Sequence, residues 1–227
     1  MKKVILLAIT VFTFGFAQAQ KKDINVRFGL KGGLNVATLA GDVDNASPRL
    51  GLHAGGFAEV KLTKKFSIQP EILLSLQGTK DQYSESSPGY SYSSENKVNL
   101  TYLNFPVMAK FYVIPQLSLE AGPQLGILVG AKKEYTQTEN DGGDVTVFSR
   151  TADVKGGLKT AEAGFNLGAS YYFNDNIFLQ ARFCIGLSSI DNNGGYYRVD
   201  NGNGNVYKYN GSSVTNNVFQ ISFGYRF

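Results

Sequence analysis

The chain has no tryptophan, and only one cysteine and one histidine in 227 residues. Cys184 therefore has no intramolecular disulfide partner, and one His with one Cys is too small a donor set for a zinc site. Charge of one sign is also scarce. The formal net charge is +4, and removing Lys2 and Lys3 from that +4 leaves +2. That is no polyanion-binding signature, so a nucleic-acid partner is not expected. Beyond Ala19 no apolar run reaches the ~20 residues that a membrane-spanning helix needs, which excludes a helical membrane protein. Gly29, Gly32 and Gly33 are followed by no helix, so they do not form a phosphate cradle. They are expected instead to ease close packing within a narrow β-structure.

What is present begins with an export signal. Met1-Lys2-Lys3 is a short positive start, Val4 to Phe16 is apolar, and Ala17-Gln18-Ala19 is a small-x-small cleavage pattern. Together these read as a cleaved signal peptide over residues 1–19, followed by one domain over 20–227. An uncleaved anchor helix is the alternative. No cysteine lies near the cleavage point, so a lipoprotein anchor is not expected.

The remaining chain is rich in Gly (26), Phe (16) and Tyr (13), a palette suited to strands. Read in steps of two, it predicts eight strands, at about 26–37, 49–62, 66–77, 101–113, 117–131, 160–173, 177–189 and 218–227. In the seventh, for example, Ile177, Leu179, Ala181, Phe183 and Ile185 alternate with Gln180, Arg182 and Cys184. Arg27, Lys31, Arg49, Glu59, Lys61, Glu71, Lys110, Glu120, Glu162, Arg182 and Arg226 all fall on the face opposite the apolar set. Lipid outside the sheet would enforce that separation, because Arg or Lys at the bilayer midplane costs ~2–4 kcal/mol. A soluble antiparallel sheet alternates as well. The long apolar stretches and the lack of edge-strand blunting favour the membrane reading. Phe57, Leu73, Leu128 and Phe178 break the pattern and are expected to fill the inside. Pro70, Pro106 and Pro123 are expected to mark bulges or strand ends, since Pro removes a ladder donor.

The connections alternate in length. Thr63-Lys64-Lys65, Ile114-Pro115-Gln116 and Asn174-Asp175-Asn176 are tight hairpin turns. Residues 39–48, 79–99, 132–158 and 190–217 read as long polar loops. This is the pattern of an all-β, eight-stranded antiparallel transmembrane up-and-down barrel with short periplasmic turns and longer extracellular loops. Phe66, Phe111, Tyr171, Phe173, Tyr225 and Phe227 collect at the short-turn end facing lipid, as an interfacial girdle does.

Several segments carry a resemblance. Phe28-Gly29-Leu30-Lys31-Gly32-Gly33-Leu34-Asn35 resembles the opening strand of the PorT-like outer-membrane β-barrel family. Gln69-Pro70-Glu71-Ile72-Leu73, Tyr102-Leu103-Asn104-Phe105-Pro106-Val107 and Ala121-Gly122-Pro123-Gln124-Leu125-Gly126 are similar to its pattern. So is the ending Gln220-Ile221-Ser222-Phe223-Gly224-Tyr225-Arg226-Phe227. The likeness covers nearly all of the chain beyond the signal. It implies integral insertion in the outer membrane, with contact to outer-membrane lipid. It also implies that the barrel assembly machinery reads the terminal Phe227. The family's namesake is linked to protein secretion, which nothing in this chain specifies.

Candidate chemistry is sparse. His53 is expected mid-strand and inward, as a structural hydrogen-bonding group. A catalytic role would need a nucleophile and an orienting group beside it. Asp42 with Asp44, and Asp141 with Asp144, are expected to be turn residues more than Ca²⁺ ligands. No catalytic residue, cofactor or metal is expected. The eleven inward charges are expected to form a salt-bridged network filling the lumen, with a narrow ion path as the alternative. Two roles stay open. One is a non-enzymatic structural or interaction barrel whose extracellular loops meet protein partners. The other is a transport or secretion-complex component. A soluble lipocalin-like barrel is the rival fold.

Overall fold

The computed structural model describes residues 25–41, 46–192, 197–199, 206–208 and 213–227. The signal segment and Asp42 with Asp44 lie outside the described residues. Strands β1 (Asn25–Gly41), β2 (Ser47–Lys61), β3 (Phe66–Ser87), β4 (Tyr90–Ile114), β5 (Leu117–Asp141), β6 (Asp144–Asp153), β7 (Ala161–Tyr172), β8 (Ile177–Gly186), β9 (Tyr197–Val199), β10 (Val206–Lys208) and β11 (Val214–Arg226) follow one another in the chain.

Every neighbouring pair is antiparallel. The ring runs β1-β2-β3-β4-β5-β7-β8-β11 and closes where β11 returns to β1, with Leu34 opposite Ile221. Eight strands thus close on themselves, which removes the free edges of the sheet. The β4–β5 ladder, with Leu103 opposite Ile127, completes the wall. β6 stands outside this ring and pairs with β5 alone among the described residues, and β9 and β10 form a separate small hairpin.

The burial pattern is inverted relative to a water-soluble protein. In β8, Phe178, Gln180, Arg182 and Cys184 are buried while Leu179, Phe183 and Ile185 are exposed. Across the described residues, buried polar and charged side chains outnumber buried apolar ones, and the outer wall is a continuous belt of Leu, Ile, Val and Phe. A soluble protein does not present so large an apolar surface to water, and a lipocalin would carry its apolar side chains inside. The belt therefore belongs in hydrocarbon. Its upper limit is visible in the outward-facing residues. Leu76 on β3, Leu103 on β4 and Val129 on β5 give way to Lys80, Lys97 and Lys132. At the other end the outward aromatics Phe66 and Phe111 pack at 5.1 Å, Tyr171 and Phe173 at 5.4 Å, and Tyr225 and Phe227 at 5.3 Å.

The tight turns form where expected, and the sequence explains two of them. Thr63 Oγ1 accepts the backbone N–H of Lys65 and Phe66 at 3.2 and 3.0 Å. Asn174 Oδ1 accepts those of Asn176 and Ile177 at 2.9 and 2.7 Å.

Two expectations are corrected. Residues 79–99 and most of 132–158 are not irregular loops. β3 and β4 stay paired out to Ser87 and Tyr90, turning at Gly89 (φ 82). β5 continues to Asp141 and turns through Gly142 (φ 57) and Gly143 (φ 103) into β6. Above the belt both faces meet water, so the period-two apolar signal disappears while the backbone pairing continues. The three prolines also mark neither bulges nor strand ends. Pro70, Pro106 and Pro123 sit within their strands opposite Val107, Gln124 and Phe165. Register shifts occur instead at Pro48/His53, Thr101/Tyr102 and Tyr112/Ile114.

Candidate functional site

The lumen is filled in layers. Nearest the tight turns lies an aromatic layer of Phe57, Tyr112, Tyr172 and Phe178. Phe57 and Phe178 meet edge to face at 5.6 Å and 74°. Glycine makes room for both rings: a Cβ at Gly29 would lie 2.3 Å from Phe57 Cζ, and one at Gly224 would lie 2.2 Å from Phe178 Cζ. Glu59 and Arg226 pair in this layer at 2.6 Å. Glu59 also accepts from Ser67 at 2.9 Å and from the Tyr112 hydroxyl.

Above the aromatic layer is an ion cluster. Arg182 spans two carboxylates. Its Nη1 and Nη2 donate to Glu71 at 2.9 and 2.8 Å, and its Nε and Nη2 donate to Glu120 at 3.1 and 3.0 Å. Lys31 Nζ reaches Glu71 at 2.8 Å and Gln180 at 2.7 Å. Lys110 Nζ lies 3.6 Å from Glu120 and donates to Tyr172 and Gln69 at 2.7 and 3.1 Å. None of these five side chains has solvent access. Three cations and two carboxylates share one desolvated space, a geometry that is tolerated only when nearly every lone pair and proton is matched.

The next layer is neutral. His53 Nδ1 lies 2.7 Å from Asn35 Oδ1 and its Nε2 lies 2.7 Å from Ser222 Oγ. An amide oxygen only accepts, so Nδ1 carries the proton and Nε2 accepts from the serine hydroxyl. Serine, histidine and an orienting amide are therefore in line, the arrangement that a nucleophilic hydrolase uses. The surroundings do not support that chemistry. Ser222 and Asn35 are 0% exposed and His53 is 3%, which leaves an acyl group no approach to Ser222 Oγ. Asn35 is also committed to Ser75 and to the Leu52 and Leu76 carbonyls. Ser222 and Asn35 could not be paired with His53 from sequence, since they lie 169 and 18 residues away from it along the chain.

At the far end an apolar cluster of Leu100, Tyr102, Leu128, Ala131 and Ile190 closes the mouth, with Leu39, Val98, Val154, Leu158 and Val214 packed on it. Ile190 is held there by its N–H to Val214 O at 2.8 Å and its carbonyl to Lys159 N at 2.7 Å.

The eleven inward charges thus do not form one network. Lys31, Glu71, Lys110, Glu120 and Arg182 come together, and Glu59 pairs with Arg226. Arg27, Arg49, Lys61 and Glu162 enter no ion pair among the described residues. Arg27, Arg49 and Lys61 are half-buried near the strand ends, where water reaches them. Arg49 donates to the Gln77 carbonyl at 3.0 Å, and Lys61 lies 5.2 Å above the Tyr112 ring. Glu162 is buried and sits apart from the lumen cations.

Outside the membrane belt, β3, β4, β5 and β6 form a four-stranded sheet. One face carries a stripe of aromatic rings across all four strands. Tyr83 and Tyr92 lie 6.2 Å apart, the Tyr92 and Tyr135 hydroxyls 3.5 Å apart, and Tyr135 and Phe148 6.4 Å apart. Asp141 and Asp144 pair at the tip of this sheet, as turn-flanking residues.

A closed ring of eight strands with an apolar exterior and a charged interior defines an integral membrane β-barrel. The chain belongs to the outer membrane protein beta-barrel domain family, whose model matches residues 16–192. Among solved structures it is similar to Neisserial surface protein A, with 12% identity, 89% of this chain and 99% of that chain covered, and a TM-score of 0.48. It is similar to the attachment invasion locus protein Ail of Yersinia pestis in complex with the heparin analogue sucrose octasulfate, with 12% identity, 89% and 99% covered, and a TM-score of 0.40. It is also similar to OprG of Pseudomonas aeruginosa, with 11% identity, 90% and 97% covered, and a TM-score of 0.40. No curated protein sequence matches the chain.

Proposed function

We propose that this is a non-enzymatic integral outer-membrane barrel with a side-chain-filled lumen, acting through the sheet it raises on the extracellular side. The observation that carries this reading is the pair of closures across the lumen. The Arg182-centred ion cluster blocks the middle, and the Leu100–Ile190 cluster caps the mouth. An ion crossing the barrel would have to break a charge cluster without solvent access and then pass an apolar plug. The part of the molecule left free to meet partners is the β3–β6 sheet, with its aromatic stripe and polar surround. Tyr in such a setting offers large contact area at low entropic cost. Its partners are proteins or other cell-surface molecules. Contact with outer-membrane lipid is continuous around the belt, and insertion uses the barrel assembly machinery after signal cleavage.

The alternative role is transport or participation in a secretion complex, as the PorT-like resemblance implies. Conductance of the refolded protein in planar bilayers separates the two. The filled-lumen reading expects no sustained openings at moderate voltage. Regular open steps in the wild-type protein would overturn it and favour transport.

A further inference from the structure

One group in the lumen is unlike the rest. Glu162 is only 8% exposed, yet its carboxylate has no cationic partner among the described residues. The four lumen cations are committed elsewhere: Lys31 and Arg182 to Glu71, Lys110 to Glu120 and its neighbours, and Arg226 to Glu59. Arg49 donates to the Gln77 carbonyl, and Lys155 to that of Val129. A buried carboxylate without compensation is strongly unfavourable.

Its neighbours share the deficit. Asn104, on β4, stands on the same rung as Glu162 on β7, with Gly126 of β5 between them. A Cβ at Gly126 would lie 2.8 Å from Asn104 Oδ1, 2.8 Å from Glu162 Cγ and 3.1 Å from its Oε1, so glycine here lets the two side chains face each other. Asn104 is 1% exposed, and neither of its amide atoms has a hydrogen-bond partner. The Tyr102 hydroxyl and the Asn216 amide lie beside the Glu162 carboxyl, close enough to interact with it but short of a formed hydrogen bond. Tyr102 Oη, Asn216 Oδ1 and Glu162 Oε2 are also buried and unpartnered. Asn216 spends its Nδ2 on Gln77, and its carbonyl oxygen is left unmatched. Buried polar groups are nearly always matched, and here five unmatched atoms of four side chains gather around one carboxyl. Four of the five are oxygens that can accept, and one belongs to a carboxylate with no cation beside it, so what the set lacks is a positive charge, supplied by a bound cation or by a proton on Glu162.

The geometry points to a binding site for one small monovalent cation of the sodium type, held by the Glu162 carboxylate with the side-chain oxygens of Asn104, Asn216 and Tyr102. Hard cations take such all-oxygen sets, and a single carboxylate supplies too little charge for a strong calcium site. The site lies beneath the apolar cap that Tyr102 shares, so the ion enters as the barrel folds and leaves only when the cap opens.

The test is refolding of the full chain from urea into detergent micelles in NaCl, in N-methylglucamine chloride of equal ionic strength, and in the latter with CaCl₂ added. The readout is the midpoint temperature at which the folded gel mobility is lost. At sodium about tenfold above its dissociation constant, the wild-type midpoint rises by about 3–6 °C over N-methylglucamine. Glu162→Gln and Asn104→Leu each abolish that difference. If one of them fails to refold, the other carries the comparison. Equal midpoints in the two salts for the wild type mean that water, or a proton on Glu162, matches these atoms, and overturn the site. A difference that survives in both variants places the cation elsewhere and also overturns it. A rise with calcium but none with sodium overturns the monovalent assignment. The outcome is independent of bilayer conductance, so this site and the filled-lumen function fail separately.

Discussion

Replacing Arg182 by methionine removes the centre of the ion cluster while keeping an unbranched chain of similar reach. The side chain makes four charge-assisted hydrogen bonds to Glu71 and Glu120. Its loss leaves Glu71 with Lys31 at 2.8 Å and the Gln69 amide at 2.8 Å. Glu120 keeps Lys110 at 3.6 Å and Ser170 at 3.2 Å. Breaking a buried pair by removing one partner costs about 3–5 kcal/mol. Glu71 retains a close cation, whereas Glu120 keeps only a distant one, so the cost falls at about 3 kcal/mol, the lower end of that range. Adding Glu120→Gln to Arg182→Met removes the unmatched carboxylate and recovers part of the loss. Lys31→Met costs less than Arg182→Met, because the bidentate Arg182 contact to Glu71 remains. The assay is reversible urea unfolding in detergent micelles, followed by circular dichroism and gel mobility, with the slope against urea unchanged between variants. A loss below about 1 kcal/mol in Arg182→Met, or a double variant weaker than the single, would refute the reasoning that charge matching holds the lumen together.

Three further outcomes follow from the same geometry. Leu179→Arg or Ile221→Arg, on the outward face of adjacent strands, destabilises the inserted barrel by about 2–4 kcal/mol if it lies near the midplane. Val147→Arg on exposed β6 changes stability by no more than about 0.5 kcal/mol, and equal effects in urea unfolding from lipid vesicles would remove the case for a lipid belt. Gly224→Ala places a Cβ against the Phe178 ring and lowers stability by about 1–3 kcal/mol; Gly224→Ala combined with Phe178→Leu recovers part of it, and no recovery would mean that the glycine serves another purpose. A fluorophosphonate probe leaves Ser222 unlabelled in the folded barrel, because the Ser222–His53–Asn35 alignment has no open side; labelling that disappears in His53→Ala, read by mass spectrometry, would show that an acyl group does reach it.

Much of the barrel is legible in the sequence. The period-two alternation placed the ring strands close to their observed positions. It also set Phe57, Leu73, Leu128 and Phe178 inward, where each is buried. The alternation works because hydrocarbon on one face and a polar filling on the other act on every residue of the belt. Where both faces meet water, as from Lys80 to Lys97 and from Lys132 to Asp153, the same backbone pairing leaves no such trace, and these strands read as loops. The prolines misled for a related reason. A missing N–H marks a possible break in the ladder, but the ladder at Pro70, Pro106 and Pro123 keeps its register through the neighbouring pairs.

The inner site shows the division between sequence and tertiary structure most clearly. Alternation alone determined that Lys31, Glu71, Lys110, Glu120 and Arg182 face inward, since parity along a strand is a local property. Which of them meet is decided by strand order and stagger around the closed ring. Arg182 and Glu71 are 111 residues apart in the chain and 2.8 Å apart in space. The same closure isolates Glu162 from the cations and aligns Ser222, His53 and Asn35. A strand carries no record of how far its neighbour is shifted along it, and in a cylinder that shift alone sets which side chains share a level.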